Sequence, residues 1–190
     1  MVEFSRKTNE TSIQLSLNIY GEKNINVKTG IGFFDHMITS MAFWAGWDLT
    51  LRCQGDLEID THHTVEDVGL SLGKAFHTMW FKHQNIVRIA HAFCPLDDAL
   101  TRVVVDVCNR PYSTFDATFN VEKVGAFETA MTGHFFRSFA QEGRITQHIR
   151  VLHGHNAHHM IETIFKGLGL ALKRACTLTD VGTQSTKGYL

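Results

Sequence analysis

Proline is nearly absent from this 190-residue chain, which has two in all, well under the average of about 5%. With fifteen glycines present, the turns fall to Gly, Asn and Asp, and long irregular linkers are excluded. No C-x-x-C occurs among Cys53, Cys94, Cys108 and Cys176, which argues against a zinc ribbon and a secreted disulfide framework and makes a reducing compartment the expectation. Nor is either charge in surplus. Eighteen Lys and Arg face nineteen Asp and Glu, for a net charge of -1, so no global field favours nucleic acid or an anionic membrane, and an anionic ligand must be held locally. No apolar run approaches the ~18 residues of a membrane span, and the opening MVEFSRKTNETSIQ has no signal-peptide core. A cytoplasmic protein with neither nucleic-acid nor membrane partners is the expectation. What is present is 44% hydrophobic and 19% charged residues, enough for a real core and incompatible with disorder.

The apolar pattern divides the chain into strands and helices. Ser12 to Tyr20 alternates Ile13, Leu15, Leu17 and Ile19 on one face, the period of a half-buried strand. Gly21-Glu22-Lys23 predicts a hairpin into a shorter strand with Ile25 and Val27. A helix follows from Asp35 to Gly46, with Ile38, Met41, Ala42 and Ala45 three and four apart. Leu49, Leu51 and Cys53 alternate again, GDLEID at 55 to 60 reads as a turn and short strand, and a second helix runs from about His63 to Trp80. The joint falls near Asn85, giving halves 1–84 and 85–190. In the second half, 86–93, 99–108 and 112–119 read as strands, 127–141 as a helix, 145–152 as a strand and 156–176 as a long amphipathic helix.

Twelve histidines are the outlying figure. His62-His63-x-x-Glu66 and His158-His159-x-x-Glu162 are one motif written twice, 96 residues apart, and His36 and His134 precede the two copies by similar distances. The expectation is an α/β (α+β) fold with an internal duplication of a sheet-plus-two-helices unit, the helices packed between two sheets. On a helix, residues four apart share a face while adjacent ones diverge by about 100°. His62 with Glu66, and His158 with Glu162, can therefore each grip an ion, and His63 and His159 must look elsewhere. If each joins the other repeat's pair, two pseudo-equivalent metal sites arise, with six imidazoles and two carboxylates once His36 and His134 are added. One His-His pair is usually a surface or capping feature; two copies, each with Glu at i+4, are not so easily dismissed. Mixed nitrogen and oxygen donors suit Mn, Fe, Ni or Zn over Ca and Mg. His77, His83, His91, His148, His153 and His155 read as surface or satisfied core residues.

Beyond the histidines, GIGFFDHM, GDLEIDTHHTVEDVG at 55–69, HNAHHMIETIFK at 155–166 and STKG at 185–188 closely resemble the imidazoleglycerol-phosphate dehydratase family of histidine biosynthesis. RKTNET at 6–11, IVRIA at 86–90, PLDDAL at 95–100 and NRPY at 109–112 extend the likeness along the chain. The resemblance implies a lyase that removes water from imidazole glycerol phosphate to give imidazole acetol phosphate. It further implies a duplicated α/β unit, two manganese ions per active site, and a large octahedral homo-oligomer of about 24 subunits. It implies metal ligation by His36, His62, His63, Glu66, His134, His158, His159 and Glu162, and substrate contacts by Glu10, Arg88, Arg110, Ser185 and Lys187.

The chemistry needs such a set. The proton to be lost sits on an unactivated carbon, so a metal-bound imidazole ring must serve as an electron source, with Glu10, Glu66 or Glu162 as the base. The cationic groups would orient the phosphate. Three departures from the family stand out: Trp44 where a substrate-side histidine is usual, Asp98 where Glu is usual, and Cys108-Asn109 before the arginine. Two rival readings are a di-metal hydrolase, disfavoured by the lack of an Asp-rich bridging motif, and a non-catalytic assembly stapled by metal.

Overall fold

A computed structural model describes residues 1–190. Strands β1 (Val2–Lys7) and β2 (Thr11–Asn18) form an antiparallel pair, and the alternation in β2 buries Ile13, Leu15 and Leu17. Next come β3 (Ile25–Lys28), α1 (Gly32–Ala45), β4 (Asp48–Gly55) and α2 (His62–Trp80). The second half holds β5 (Ile89–Leu96), β6 (Ala99–Asp106), β7 (Tyr112–Asp116), the two-residue strands β8 (Lys123–Val124) and β9 (Phe127–Glu128), then α3 (Ala130–Gly143), β10 (Thr146–His153) and α4 (Ala157–Ala175).

The sheets run β1-β2-β4-β3 and β5-β6-β10-β7. If the β8–β9 hairpin is taken as an insertion, the two orders are identical, and so are the directions. The third strand of each half pairs parallel with the fourth, and all other neighbours are antiparallel. The duplication is thus written in topology. Helices α1 and α2 lie on the first sheet and α3 and α4 on the second, with α2 crossing α3 and α1 crossing α4 between them. One continuous cluster of 43 buried residues draws on both sheets and all four helices, so the two halves share one core.

Two glycines set the helix crossings. A Cβ on Gly73 would stand 2.5 Å from the Phe139 carbonyl oxygen, and one on Gly169 would stand 2.4 Å from that of Met41. Both are clashes with backbone, so only glycine lets α2 reach α3 and α4 reach α1. The two glycines lie 96 residues apart, like the histidine motifs.

The structure corrects four sequence expectations. The Gly21–Lys23 turn does not fold a hairpin, because β3 passes across β4 and pairs with it in parallel on its far edge. The Asp48 side chain accepts from the Glu22 and Asn24 amides, at 2.9 Å each, and anchors this connection. GDLEID closes as a turn with no strand. The expected helix from Phe127 starts at Ala130, since Phe127 and Glu128 belong to β9. The strand expected from Ile86 starts at Ile89, after Arg88 takes a positive φ of 75°. Strand β1 was not foreseen at all, having only Val2 and Phe4 partly covered among polar residues.

Candidate active site

The histidine motifs open α2 and α4, at helix starts fixed by side-chain caps. The Asp60 carboxylate accepts from the His62 amide at 2.7 Å, and Asn156 Oδ1 accepts from the amides of His158 and His159, satisfying donors that the first turn leaves unpaired. His36 and His134 lie in the opening turns of α1 and α3, and the helix crossings carry each toward the other repeat's motif.

Two clusters result. In one, His62 and Glu66 of α2 meet His134 of α3, with Glu66 Oε2 3.2 Å from His62 Nε2 and 2.9 Å from His134 Nε2. In the other, His158 and Glu162 of α4 meet His36 of α1, with Glu162 Oε2 3.2 Å from His158 Nε2 and 3.7 Å from His36 Nε2. Within each cluster the three ligand atoms lie within 4.8 Å of one another. Two imidazoles and a carboxylate so placed fit a borderline first-row divalent cation and leave coordination positions open. Burial raises both carboxyls, but their partners more than offset it. The His134 and His62 imidazoles leave Glu66 below its ordinary range, and Lys166, with His36 and His158, does the same for Glu162.

His63 and His159 complete neither cluster within the chain. His63 Nδ1 lies 3.0 Å from Asp56 Oδ2, and its Nε2 lies 3.7 Å from Glu10 Oε1. His159 Nδ1 lies 2.6 Å from Asp98 Oδ1, and its Nε2 lies 3.7 Å from Asp97 Oδ2. Adjacent histidines do diverge, as helical geometry requires, but the groups they meet are carboxylates.

The expected substrate residues gather elsewhere. Arg88 makes a bidentate pair with Asp106, at 2.7 and 3.0 Å, and donates to the Gln184 carbonyl at 2.6 Å. Arg110 reaches the same carboxylate at 3.7 Å and is exposed, and the tail turns back there with the Lys187 amide donating to Ser185 Oγ. This group sits at the far end of α4 from the histidines, because the Arg88 amide donates to the carbonyl of Ala175, the last residue of α4. At ~1.5 Å rise per residue, α4 holds His158 and Ala175 roughly 25 Å apart. Trp44 is exposed in the last turn of α1, edge-on to Phe43, and eight residues of helix put it roughly 12 Å along the axis from His36.

Some partners escaped the sequence reading. Lys166 Nζ lies 2.7 Å from Glu162 Oε1, and the i,i+4 spacing was a signal that could have found it. Asp56 and Asp98 contact the second histidine of each pair through tertiary folding. No helix is long and apolar enough to cross a membrane.

Known proteins share both the sequence and the architecture. The family model for imidazoleglycerol-phosphate dehydratase matches residues 29–172. The chain is 45% identical over 188 residues to an imidazoleglycerol-phosphate dehydratase of Oceanobacillus iheyensis, covering 98% of this chain and 97% of that protein. It is 48% identical over 190 residues to the one of Caldanaerobacter subterraneus subsp. tengcongensis, covering 99% and 98%. The crystal structure of imidazoleglycerol-phosphate dehydratase from Staphylococcus aureus superposes with a TM-score of 0.84 at 36% identity, covering 94% of this chain and all of that one. The Pyrococcus furiosus structure, in complex with (S)-C348, gives 0.85 at 36% identity over 98% of this chain and all of that one. The chain belongs to the imidazoleglycerol-phosphate dehydratase family of hydro-lyases.

Proposed function

We propose that this chain dehydrates imidazole glycerol phosphate to imidazole acetol phosphate in histidine biosynthesis, in the cytoplasm, with two manganese ions per active site. The observation that carries the metal dependence is the pair of clusters, each built from two imidazoles and one carboxylate and each spanning both repeats. His62, Glu66 and His134 would hold one ion, and His36, His158 and Glu162 the other. When bound, the ions supply Lewis-acid polarisation of the substrate's imidazole.

The chain's own groups do the rest. Glu66 and Glu162 are each engaged by two imidazoles, and Glu162 by Lys166 as well, which makes both poor proton acceptors. Glu10 is exposed, belongs to neither cluster and stands beside His63, so it is the carboxylate assigned to take the carbon-bound proton. Arg88, Arg110, Ser185 and Lys187 hold the phosphate by charge-assisted hydrogen bonds and so fix the orientation of the reacting carbons.

One chain cannot bring all these groups to one substrate, since α4 separates the arginines from the His158 cluster by roughly 25 Å. The active site is therefore shared between copies. His63 and His159, which belong to neither cluster of their own chain, would serve a neighbour's, consistent with an assembly of about 24 subunits. Incubating manganese-loaded protein with imidazole glycerol phosphate and following the ketone tests the reading. His62→Ala and His158→Ala should each abolish turnover and lower the bound metal. Metal binding without ketone formation by the unmodified chain would instead support the metal-stapled assembly.

A further inference from the structure

His63 and His159 occupy the same place in the two repeats, and each is gripped at Nδ1 by a carboxylate from outside its own helix. Asp56, in the turn after β4, places Oδ1 and Oδ2 at 3.2 and 3.0 Å from His63 Nδ1. Asp98, in the turn between β5 and β6, places Oδ1 at 2.6 Å from His159 Nδ1 while Oδ2 accepts from the His155 and Asn156 amides, at 2.6 and 2.9 Å. The two aspartates are not counterparts in the duplication. The counterpart of the β5–β6 turn is the β1–β2 turn, which carries Glu10, and the counterpart of the turn after β4 is the loop after β10, where Gly154 and His155 stand. The same grip on equivalent histidines has thus been reached with carboxylates from different loops. Inheritance from a common repeat does not account for it, and a requirement on the histidine does.

That requirement follows from imidazole chemistry. A neutral imidazole has one N–H and one lone pair, and an ionised carboxylate only accepts, so each aspartate fixes the proton on Nδ1 and the lone pair on Nε2. We infer that Asp56 and Asp98 are positioning residues that hold His63 and His159 as Nδ1–H tautomers with Nε2 presented as the metal donor to a neighbouring chain's cluster. The inference rests on the metal reading above and adds the groups that orient two of the ligands. A carboxylate behind a ligating histidine sets ring orientation as well as tautomer, and its loss typically weakens metal binding 10- to 100-fold.

The test uses the full chain labelled with 15N-histidine, together with Asp56→Asn and Asp98→Asn. In the chelated unmodified protein, at alkaline pH where both rings are neutral despite the carboxylates around them, ring spectra should show two histidines fixed as the Nδ1–H form, the minor tautomer of a free side chain. Each variant should lose one of those signals, and manganese affinity measured by chelator competition should fall 10- to 100-fold. Asp56 makes no side-chain hydrogen bond except to His63, so its variant remains informative if Asp98→Asn disturbs the 154–156 loop. Asp98→Glu, which restores a carboxylate, should recover most of the affinity. Unchanged tautomers and unchanged affinity in both Asn variants would overturn the positioning role while leaving the metal reading intact. An unmodified chain that binds no manganese would remove both.

Discussion

Complementation between two crippled chains follows from the length of α4. His158→Ala disables the cluster at the start of that helix, while the double variant Arg110→Ala/Lys187→Ala removes two of the cationic groups proposed to hold the substrate phosphate near its end. The double variant should show a substrate requirement raised at least ten- to a hundred-fold, as expected for loss of a charged hydrogen bond worth about 1.5 to 3 kcal/mol. If each active site takes its histidines from one copy and its arginines from another, a random equal mixture contains intact sites. The chance that a site draws its histidines from an Arg110/Lys187 variant is one half, and that it draws its cations from a His158 variant is also one half, so about a quarter of the sites are complete. The two chains would be mixed after chelation, reassembled with manganese and assayed at substrate levels too low for the double variant alone. Recovery near a quarter of unmodified activity is expected. Recovery no greater than the sum of the separate variants would refute the reasoning, because a site contained in one chain is defective in every copy.

If copies assemble through metal as proposed, chelation should leave a small oligomer and manganese should convert it to a larger one, with acid acting like chelation because imidazoles bind metal only when neutral; light scattering in the three states checks this, and an unchanged particle would leave protein contacts alone holding it. Gly73→Ala and Gly169→Ala should each destabilise the fold by about 1 to 3 kcal/mol, the usual cost of overpacking a core, measured by urea unfolding; full stability in both would show that the helix crossings relax freely. The Asp48 carboxyl lies below its ordinary value of 3.8, held there first by the Asn24 and Glu22 amides, so its stabilisation is present above that value and lost as pH falls through the lower folded value. The urea midpoints of the unmodified protein and Asp48→Asn should therefore differ at pH 6 and converge in acid, and a gap that widened in acid would contradict the assignment.

What could be read from the sequence depended on how local its cause was. The stripes Val65, Val68, Leu72, Phe76 and Ile161, Ile164, Phe165, Leu168 form within single helices, and every one of these residues is fully buried. The pairing of His62 with Glu66 is equally local, four residues along one helix. Strand β1 gave no comparable signal, being an edge strand with little to bury. The course of β3 was misread because the nearness of Gly21–Lys23 to β2 suggested a hairpin, whereas the governing contact is Asp48, more than twenty residues downstream. The completion of each cluster by His36 or His134 likewise depends on the α1–α4 and α2–α3 crossings. Those rest on Gly73 and Gly169, whose meaning appears only once the facing backbone is known.

The exchanged pairing of the repeats has consequences for the metal reading. Each cluster takes two groups from the second helix of one repeat and one from the first helix of the other, so neither half alone contains a complete cluster. Two copies of a single repeat, joined by the same two crossings, would form two identical clusters. Covalent duplication permits them to differ, and they do. Glu162 has Lys166 against it, while the corresponding position one turn beyond Glu66 is Leu70. The Glu162 side chain is also the more buried, 11% exposed against 39% for Glu66, which weakens the screening of its charge interactions. A positive charge 2.7 Å from Glu162 would oppose a further cation at the His36–His158–Glu162 cluster, and no such lysine pairs with Glu66. If both clusters take metal as proposed, the first ion should therefore bind beside Glu66 and the second, more weakly, beside Glu162; manganese titration of the chelated protein should show two unequal affinities of which Lys166→Met strengthens the weaker, and an unchanged titration in that variant would refute the assignment.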